Sequence, residues 1–186
     1  MRLGRMGYYS GFVLYPLMVA AAPVVVMGEA TNGERLGWVA MCLAGVGLWT
    51  LTEYVIHRYV LHHVPMFRTM HEVHHDEQTA LVGTPFWMSL LFFAFFSFLP
   101  GTLLFGAFLS TALTAGLMIG YFWYAFVHHA IHHWHLPHDT HLYRLKRRHA
   151  QHHYTDEGGN FGVTNNIWDK VFGTDIGQRA PAAAGQ

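Results

Sequence analysis

The sequence predicts an all-α integral membrane protein with four transmembrane helices and a cytoplasmic helical cap that gathers its histidines. Three observations lead there. Apolar residues make up 52% of the 186-residue chain and charged residues only 12%, roughly half the charged share of a typical globular domain. The 61 residues from Gln78 to His138 contain no Asp, Glu, Lys or Arg, far beyond the roughly 18 apolar residues that mark a membrane-spanning candidate. The 16 histidines fall in two blocks, between His57 and His75 and between His128 and His153, and nowhere else.

At this length the chain is expected to form a single membrane domain, residues 1–186. The first uncharged run predicts a span over about residues 8–27. It is too long for the apolar part of a secretory signal, which covers about 7 to 15 residues, and it should kink at Pro16 or Pro23. Gly28 to Glu34 reads as a polar turn. A second span, residues 36–55, continues into the first histidine block, with Glu53, Tyr54, His57 and Arg58 marking the passage from lipid to water. Pro65 disfavours helical geometry at Val64 and should end that helix. After a polar stretch from Asp76, the apolar residues 81–127 would make a helix of about 70 Å, more than two crossings of a hydrocarbon core of about 30 Å. A hairpin is therefore expected, with spans near 84–99 and 103–127 and a turn at Pro100-Gly101. The first of these spans is short for a full crossing. Residues 178–186 read as a disordered tail.

Basic residues set the orientation. Of the 11 Lys and Arg, only Arg35 falls in the loop between the first two spans and none falls in the hairpin turn. The others lie on the side shared by both termini and both histidine blocks, which the positive-inside rule assigns to the cytoplasm. Arg144, Lys146, Arg147 and Arg148 form a run that would set topology or dock an acidic partner or lipid headgroups. Nothing in the charge pattern suggests a nucleic-acid partner. The single cysteine, Cys42, excludes an internal disulfide framework and a cysteine-rich metal site.

Imidazole is the commonest protein metal ligand, and the histidine spacing has helical logic. His71, His74 and His75 share one helix face and can aim three imidazoles at one point. His149, His152 and His153 repeat the spacing, and His128 and His132 lie one turn apart at the end of the last span. His57 and His62 stand about 140° apart on a regular helix, so they converge only if the helix loosens near Pro65 or if the cluster sits between them.

The order H-x4-H, H-x2-H-H, H-x3-H, H-x2-H-H, with a hydrophobic hairpin between the blocks, resembles the fatty acid hydroxylase and sterol desaturase superfamily of membrane oxygenases. The closing segment, Asn160 to Thr164 followed by Trp168-Asp169 and Phe172 to Thr174, is similar to that family's ending. The resemblance covers roughly residues 45–175 and is closest to fatty acid 2-hydroxylases. It implies that His57, His62, His71, His74, His75, His128, His132, His149, His152 and His153 bind two iron ions, with zinc able to replace them during purification. It further implies O2 as co-substrate, hydroxylation of a fatty acyl chain or related lipid, and electrons from a separate transfer protein and its reductase, since no fused haem domain is visible. Glu72, Asp76, His138, His141, Asn160 and Asp169 are candidates for supporting the ligands. His63, His129, His133 and His135 exceed the family pattern. Spacing alone does not separate His128/His132 from His129/His133; the resemblance, in which this histidine follows a valine or threonine, here Val127, favours the former.

Other readings compete. Sterol desaturases and carotenoid hydroxylases share the ligand pattern. His71-Glu72-Val73-His74-His75 also spells H-E-x-x-H, in which two histidines bind zinc and the glutamate acts as the base of a metalloprotease, but that reading leaves the second H-x-x-H-H unexplained. A haem-carrying or metal-handling membrane protein would place its histidines nearer mid-membrane. Gly116-x3-Gly120 fits a helix-packing motif, and the phenylalanines between Phe86 and Phe98 either line an acyl channel or face lipid.

Overall fold

The computed structural model describes residues 2–154 and 158–178, and among them the protein is helical with a single isolated bridge, Arg2 to Val82. Seven α-helices follow in order: α1 (Arg5–Val26), α2 (Asn32–Val55), α3 (Pro65–Asp76), α4 (Phe86–Phe93), α5 (Leu99–His133), α6 (His141–Tyr154) and α7 (Ile167–Val171). Two π-helical segments interrupt the regular geometry, Ile56–Leu61 after α2 and Ala94–Phe98 between α4 and α5. Three continuous helical stretches are long and apolar enough to cross a membrane: Arg5–Val26, Asn32–Leu61 and Phe86–His133. The chain is a multi-pass membrane protein. All but Gln178 of the tail expected to be disordered lies outside the described residues.

α1 runs through both Pro16 and Pro23. α2 begins four residues before the expected span because Thr31 and Glu34 form a capping box: the Thr31 side chain accepts from the Glu34 amide, and Glu34 accepts the Thr31 amide at 2.8 Å. The segment read as a polar turn thus ends at Thr31. Val64, extended at φ −81° and ψ 117°, separates the first π-helix from α3, with Pro65 opening the new helix.

The longest helical stretch folds back on itself, but not at Pro100-Gly101. Helix continues through that pair, and the reversal comes at Gly106, whose φ of +79° and ψ of 161° are open only to glycine. The two limbs then pack antiparallel. The Ser97 and Thr114 hydroxyls hydrogen-bond at 2.8 Å, Ser110 donates to the Phe98 carbonyl at 2.6 Å, and Phe93 meets Tyr121 edge to face.

α2 crosses the second limb with backbone against backbone. A Cβ at Gly116 would collide with the Cys42 carbonyl, and one at Gly45 with the Leu113 carbonyl. Gly120 accepts the Trp49 ring in the same way. The glycine motif is therefore used within the chain, between α2 and α5. Tyr15, Trp49, Phe93, Leu117 and Met118 fill the core beside this crossing. Nearer the histidines, Val127, Ile131, Leu136, Leu145 and Val163 join α5, α6 and the C-terminal segment. Because Gly116 has no room for a side chain, Gly116→Val is expected to destabilise the protein by about 1–3 kcal/mol through overpacking, read as a lowered unfolding midpoint in detergent, whereas Gly47→Ala, where nothing lies within 4 Å, should leave it unchanged.

Candidate metal centre

Four helix ends deliver the histidines. The π-helix from Ile56 to Leu61 closes i to i+5, so it brings His57 and His62 onto one face with their rings stacked at 5.3 Å. This is the first of the two arrangements that the spacing allowed, a loosened helix. His128 and His132 leave α5 one turn apart, 4.7 Å between rings. α3 and α6 supply the two H-x-x-H-H sets.

The three imidazoles of each set do not meet at one point. On a regular helix the third and fourth residues after a given position diverge by about 100°, and the fold uses both directions. His57, His62, His71 and His152 form one group and His74, His132, His149 and His153 another, the ligand atoms of each lying within 4.8 Å of one another. His75 joins the first group, its Nε2 3.1 Å from that of His71. His128 joins the second, 2.9 Å from His74 Nε2. Each cap helix therefore gives an i, i+4 pair to one cluster and its remaining histidine to the other. All ten nominated histidines come together, and His128/His132 rather than His129/His133 point inward.

The donor set fits a pair of metal ions. Nε2 atoms approach at 3.1 Å for His57 and His71, 3.2 Å for His62 and His152, and 3.0 Å for His149 and His153. Two nitrogens each about 2.0–2.1 Å from one ion and about 90–100° apart would be separated by this much. Hydrogen bonding between the rings does not account for it. His57 Nδ1 must donate to the Phe161 carbonyl, 2.6 Å away, and His152 Nδ1 to the Gly159 carbonyl at 2.8 Å, so in their neutral forms both rings turn a bare Nε2 lone pair inward. His71 Nε2 faces His57 and His75 together, and one ring nitrogen has a single proton or a single lone pair to offer.

Burial keeps the cap histidines neutral. It lowers the pKa of His74 to about 3, of His62 to about 4 and of His152 to about 3, with neighbouring imidazoles adding to the effect. His71 and His149 are likewise held well below the usual imidazole value, again by burial first. An unprotonated ring is the form that binds a metal.

The C-terminal segment holds the carbonyls in place. Asp169, fully buried, accepts the Phe161 and Gly162 amides at 2.8 and 2.9 Å, the Thr174 hydroxyl at 2.8 Å and an Arg148 N–H at 3.3 Å. Asn160, also buried and at φ +54°, accepts from Arg148 at 3.0 Å and donates to Gln151 at 3.0 Å. Glu53, at the end of α2, accepts the Val163 and Thr164 amides and the Thr164 hydroxyl at 2.7–2.9 Å. Glu53 and Arg148 escaped the sequence reading as site residues, because a charge at a span end and one inside a basic run both read as surface features. Arg148 is not part of an exposed patch; it pairs with Asp169 and with Asp175, the latter at 2.9 Å.

Four of the six supporting candidates lie elsewhere. The Glu72 carboxylate is exposed and paired with Arg68 at 2.7 Å, and Asp76 is exposed. His138 stacks on Tyr143 at the surface, and His141 is exposed at the start of α6. His129 faces α1, bonded to the Tyr8 hydroxyl at 3.0 Å and stacked on His133, while His63 is exposed and bonds the Arg58 carbonyl.

A cavity of about 150 Å³ runs between α1, α3, α4 and α5. Its walls are mainly apolar, with Phe12, Tyr15 and Phe122 among them, and at one end it reaches His71, His74 and His128. Phe86 lines it, whereas Phe92, Phe95 and Phe96 are exposed on the outside and Phe93 is in the core.

Comparison with known proteins agrees with this geometry. Residues 42–174 match the family described as fatty acid hydroxylase. The ceramide very long chain fatty acid hydroxylase scs7 of Schizosaccharomyces pombe is 30% identical over 150 residues, 74% of this chain and 42% of that protein. A dihydroceramide fatty acyl 2-hydroxylase of Arabidopsis thaliana is 31% identical over 174 residues, 83% of this chain and 68% of that one. A solved structure of full-length scs7p, in which only the hydroxylase domain is visible, superposes with a TM-score of 0.81 at 27% identity over 95% of this chain and 69% of that one. The chain thus spans about two fifths of the length of its Schizosaccharomyces pombe relative. On the family match and these identities, the chain belongs to the fatty acid hydroxylase family.

Proposed function

We propose that this chain is a lipid hydroxylase that oxidises a fatty acyl chain, free or amide-linked as in a ceramide, at a di-iron centre held by the ten clustered histidines. The observation that carries the reading is the meeting of two five-histidine clusters with the end of an apolar cavity. An unactivated C–H bond yields to no side-chain acid, base or nucleophile; iron bound at the clusters would supply the O2-dependent oxidation. The protein's own part is placement. The mainly apolar cavity walls guide an apolar chain towards His71, His74 and His128, while the Phe161 and Gly159 carbonyls hold the His57 and His152 rings in their working tautomer. Ten imidazoles suit two five-coordinate ions, which keep positions open, better than two closed tetrahedral zinc sites. Zinc is able to replace iron during purification, since it binds imidazole at least as well.

The same reading covers topology and partners. With its turn at Gly106, the first hairpin limb, Phe86 to Phe105, measures about 30 Å at 1.5 Å per residue, enough for a full crossing. Four crossings put both termini and the histidine cap in the cytoplasm, where a separate electron-transfer protein and its reductase would deliver electrons. The protease reading fares worse, because Glu72 faces Arg68 and solvent rather than the clusters.

Three outcomes are expected. In membranes supplied with reductant, a donor protein and labelled dioxygen, the label should enter an acyl chain, with two metal ions per active chain by elemental analysis; His74→Ala or His152→Ala should abolish incorporation without preventing membrane insertion, and Glu72→Gln should retain a substantial fraction. Label absent from every lipid, with Glu72-dependent peptide cleavage in its place, would overturn the hydroxylase reading. A reporter after Gln186 should read cytoplasmic and one at Asn32 external; both on one side would refute four crossings. The pH response follows from the depressed histidines. Between about pH 4 and 6.5 the unfolded chain takes up protons that the native cap refuses, so the unfolding midpoint should be flat above about pH 7 and fall steadily below 6.5.

A further inference from the structure

The fold supports its two clusters unequally. In the first, His57 and His152 each donate Nδ1–H to a backbone carbonyl, of Phe161 and Gly159, at 2.6 and 2.8 Å. In the second, the buried Nδ1 atoms of His74 and His149 reach no hydrogen-bond partner among the described residues. The two carbonyls are also fixed from behind. Asp169 ties down the amide of Phe161 itself, and Asn160, between Gly159 and Phe161, binds both Arg148 and the Ile176 amide. Arg148 immediately precedes His149 in α6, and its guanidinium reaches Asp169, Asp175 and Asn160, so the segment carrying the carbonyls is locked to the helix that carries His152.

A ring whose far nitrogen is held by a carbonyl is fixed in tautomer and orientation and is a more basic ligand; loss of such a partner typically costs 10–100-fold in metal affinity. A ring oriented by packing alone must settle its tautomer and tilt when the metal arrives. We propose that the two metal sites differ in affinity, the first cluster (His57, His62, His71, His75, His152) binding tightly and the second (His74, His128, His132, His149, His153) exchangeably, and that Asp169, Asn160 and Arg148 are the positioning residues that create the difference. The proposal rests on the reading that both clusters hold metal.

The test is equilibrium competition by a chelator against the full-length protein in detergent loaded with cobalt(II), whose visible absorption reports each coordination environment. The expected result is two steps of one ion per chain, separated at least tenfold in chelator concentration. His62→Ala should remove the tight step and His132→Ala the weak one. Asp169→Asn should weaken the tight step by about tenfold or more and leave the weak step in place. If that variant does not fold, Thr174→Val, which deletes only the hydroxyl donated to Asp169 and shared with Tyr54, should shift the same step in the same direction. Both ions leaving in one step, or the tight step surviving His62→Ala, would overturn the inequality while leaving the two-ion reading intact. An Asp169 or Thr174 variant that moves neither step, or both equally, would remove the positioning role. One ion or none per chain would instead defeat the di-metal reading on which the proposal stands.

Discussion

Ten buried or half-buried imidazoles must turn a ring nitrogen each towards two points without protonating, and every other feature of the fold serves that demand. In water such a set would relieve itself by taking up protons, but burial holds the cap rings far below their ordinary pKa. The helices are arranged to make this possible. A π-helical turn costs hydrogen-bond quality and is uncommon, yet it is what sets His57 and His62 side by side at the end of α2. The two cap helices face each other with the same H-x-x-H-H spacing, each sending its i, i+4 pair to its own cluster and its middle histidine across to the other. The result is an approximate twofold exchange, in which neither cluster is complete without both cap helices.

Keeping that arrangement rigid falls to buried charge. Glu53 and Asp169 are removed from solvent, which would be costly for an unpaired carboxylate. Each instead accepts two successive backbone amides and a hydroxyl from the same C-terminal segment. The two acids thereby convert an irregular stretch, Gly159 to Thr164, into a fixed array of carbonyls. Glu53 anchors that stretch to α2 and Arg148 anchors it to α6, so the segment bridges the helices that carry His57 and His152. This is why a short loop with little regular structure can orient ligands on two different elements.

How much of this could be read beforehand depended on whether the signal was local. The ten histidines stood out because spacing on a helix is local information, as did the Val64 break, which Pro65 dictates. The division of each H-x-x-H-H between two clusters did not, because three residues on one helix face look convergent until the opposing helix is in place. The reversal at Gly106 was missed in favour of Pro100-Gly101 because a proline and glycine pair is the stronger turn signal. Here the π-helix before Leu99 and the first turn of α5 accommodate Pro100 without a break, and the turn falls on the glycine whose φ is positive. Asn160 and Asp169 were nominated through family resemblance alone. Glu53 and Arg148 left no distinguishing trace, since their importance lies entirely in contacts more than ten residues away in sequence.

The placement of the cavity adds a further consequence. Its end is lined by His71 of the first cluster and by His74 and His128 of the second, so an entering acyl chain would arrive at the seam between the clusters rather than beneath either one. Along its length the walls come from α1, α3, α4 and α5, with Phe67 and Met70 from α3, whereas the histidines come from the ends of α2 and α5 and from α3 and α6. α3 and α5 thus carry both wall and ligands, while the α1 wall carries no cluster histidine. In the proposed reading, the carbon that is oxidised is set by how far the apolar walls let a chain advance before it meets His128 and His74, and changes among Phe12, Tyr15 and Phe122 would alter which chains fit while leaving both clusters untouched.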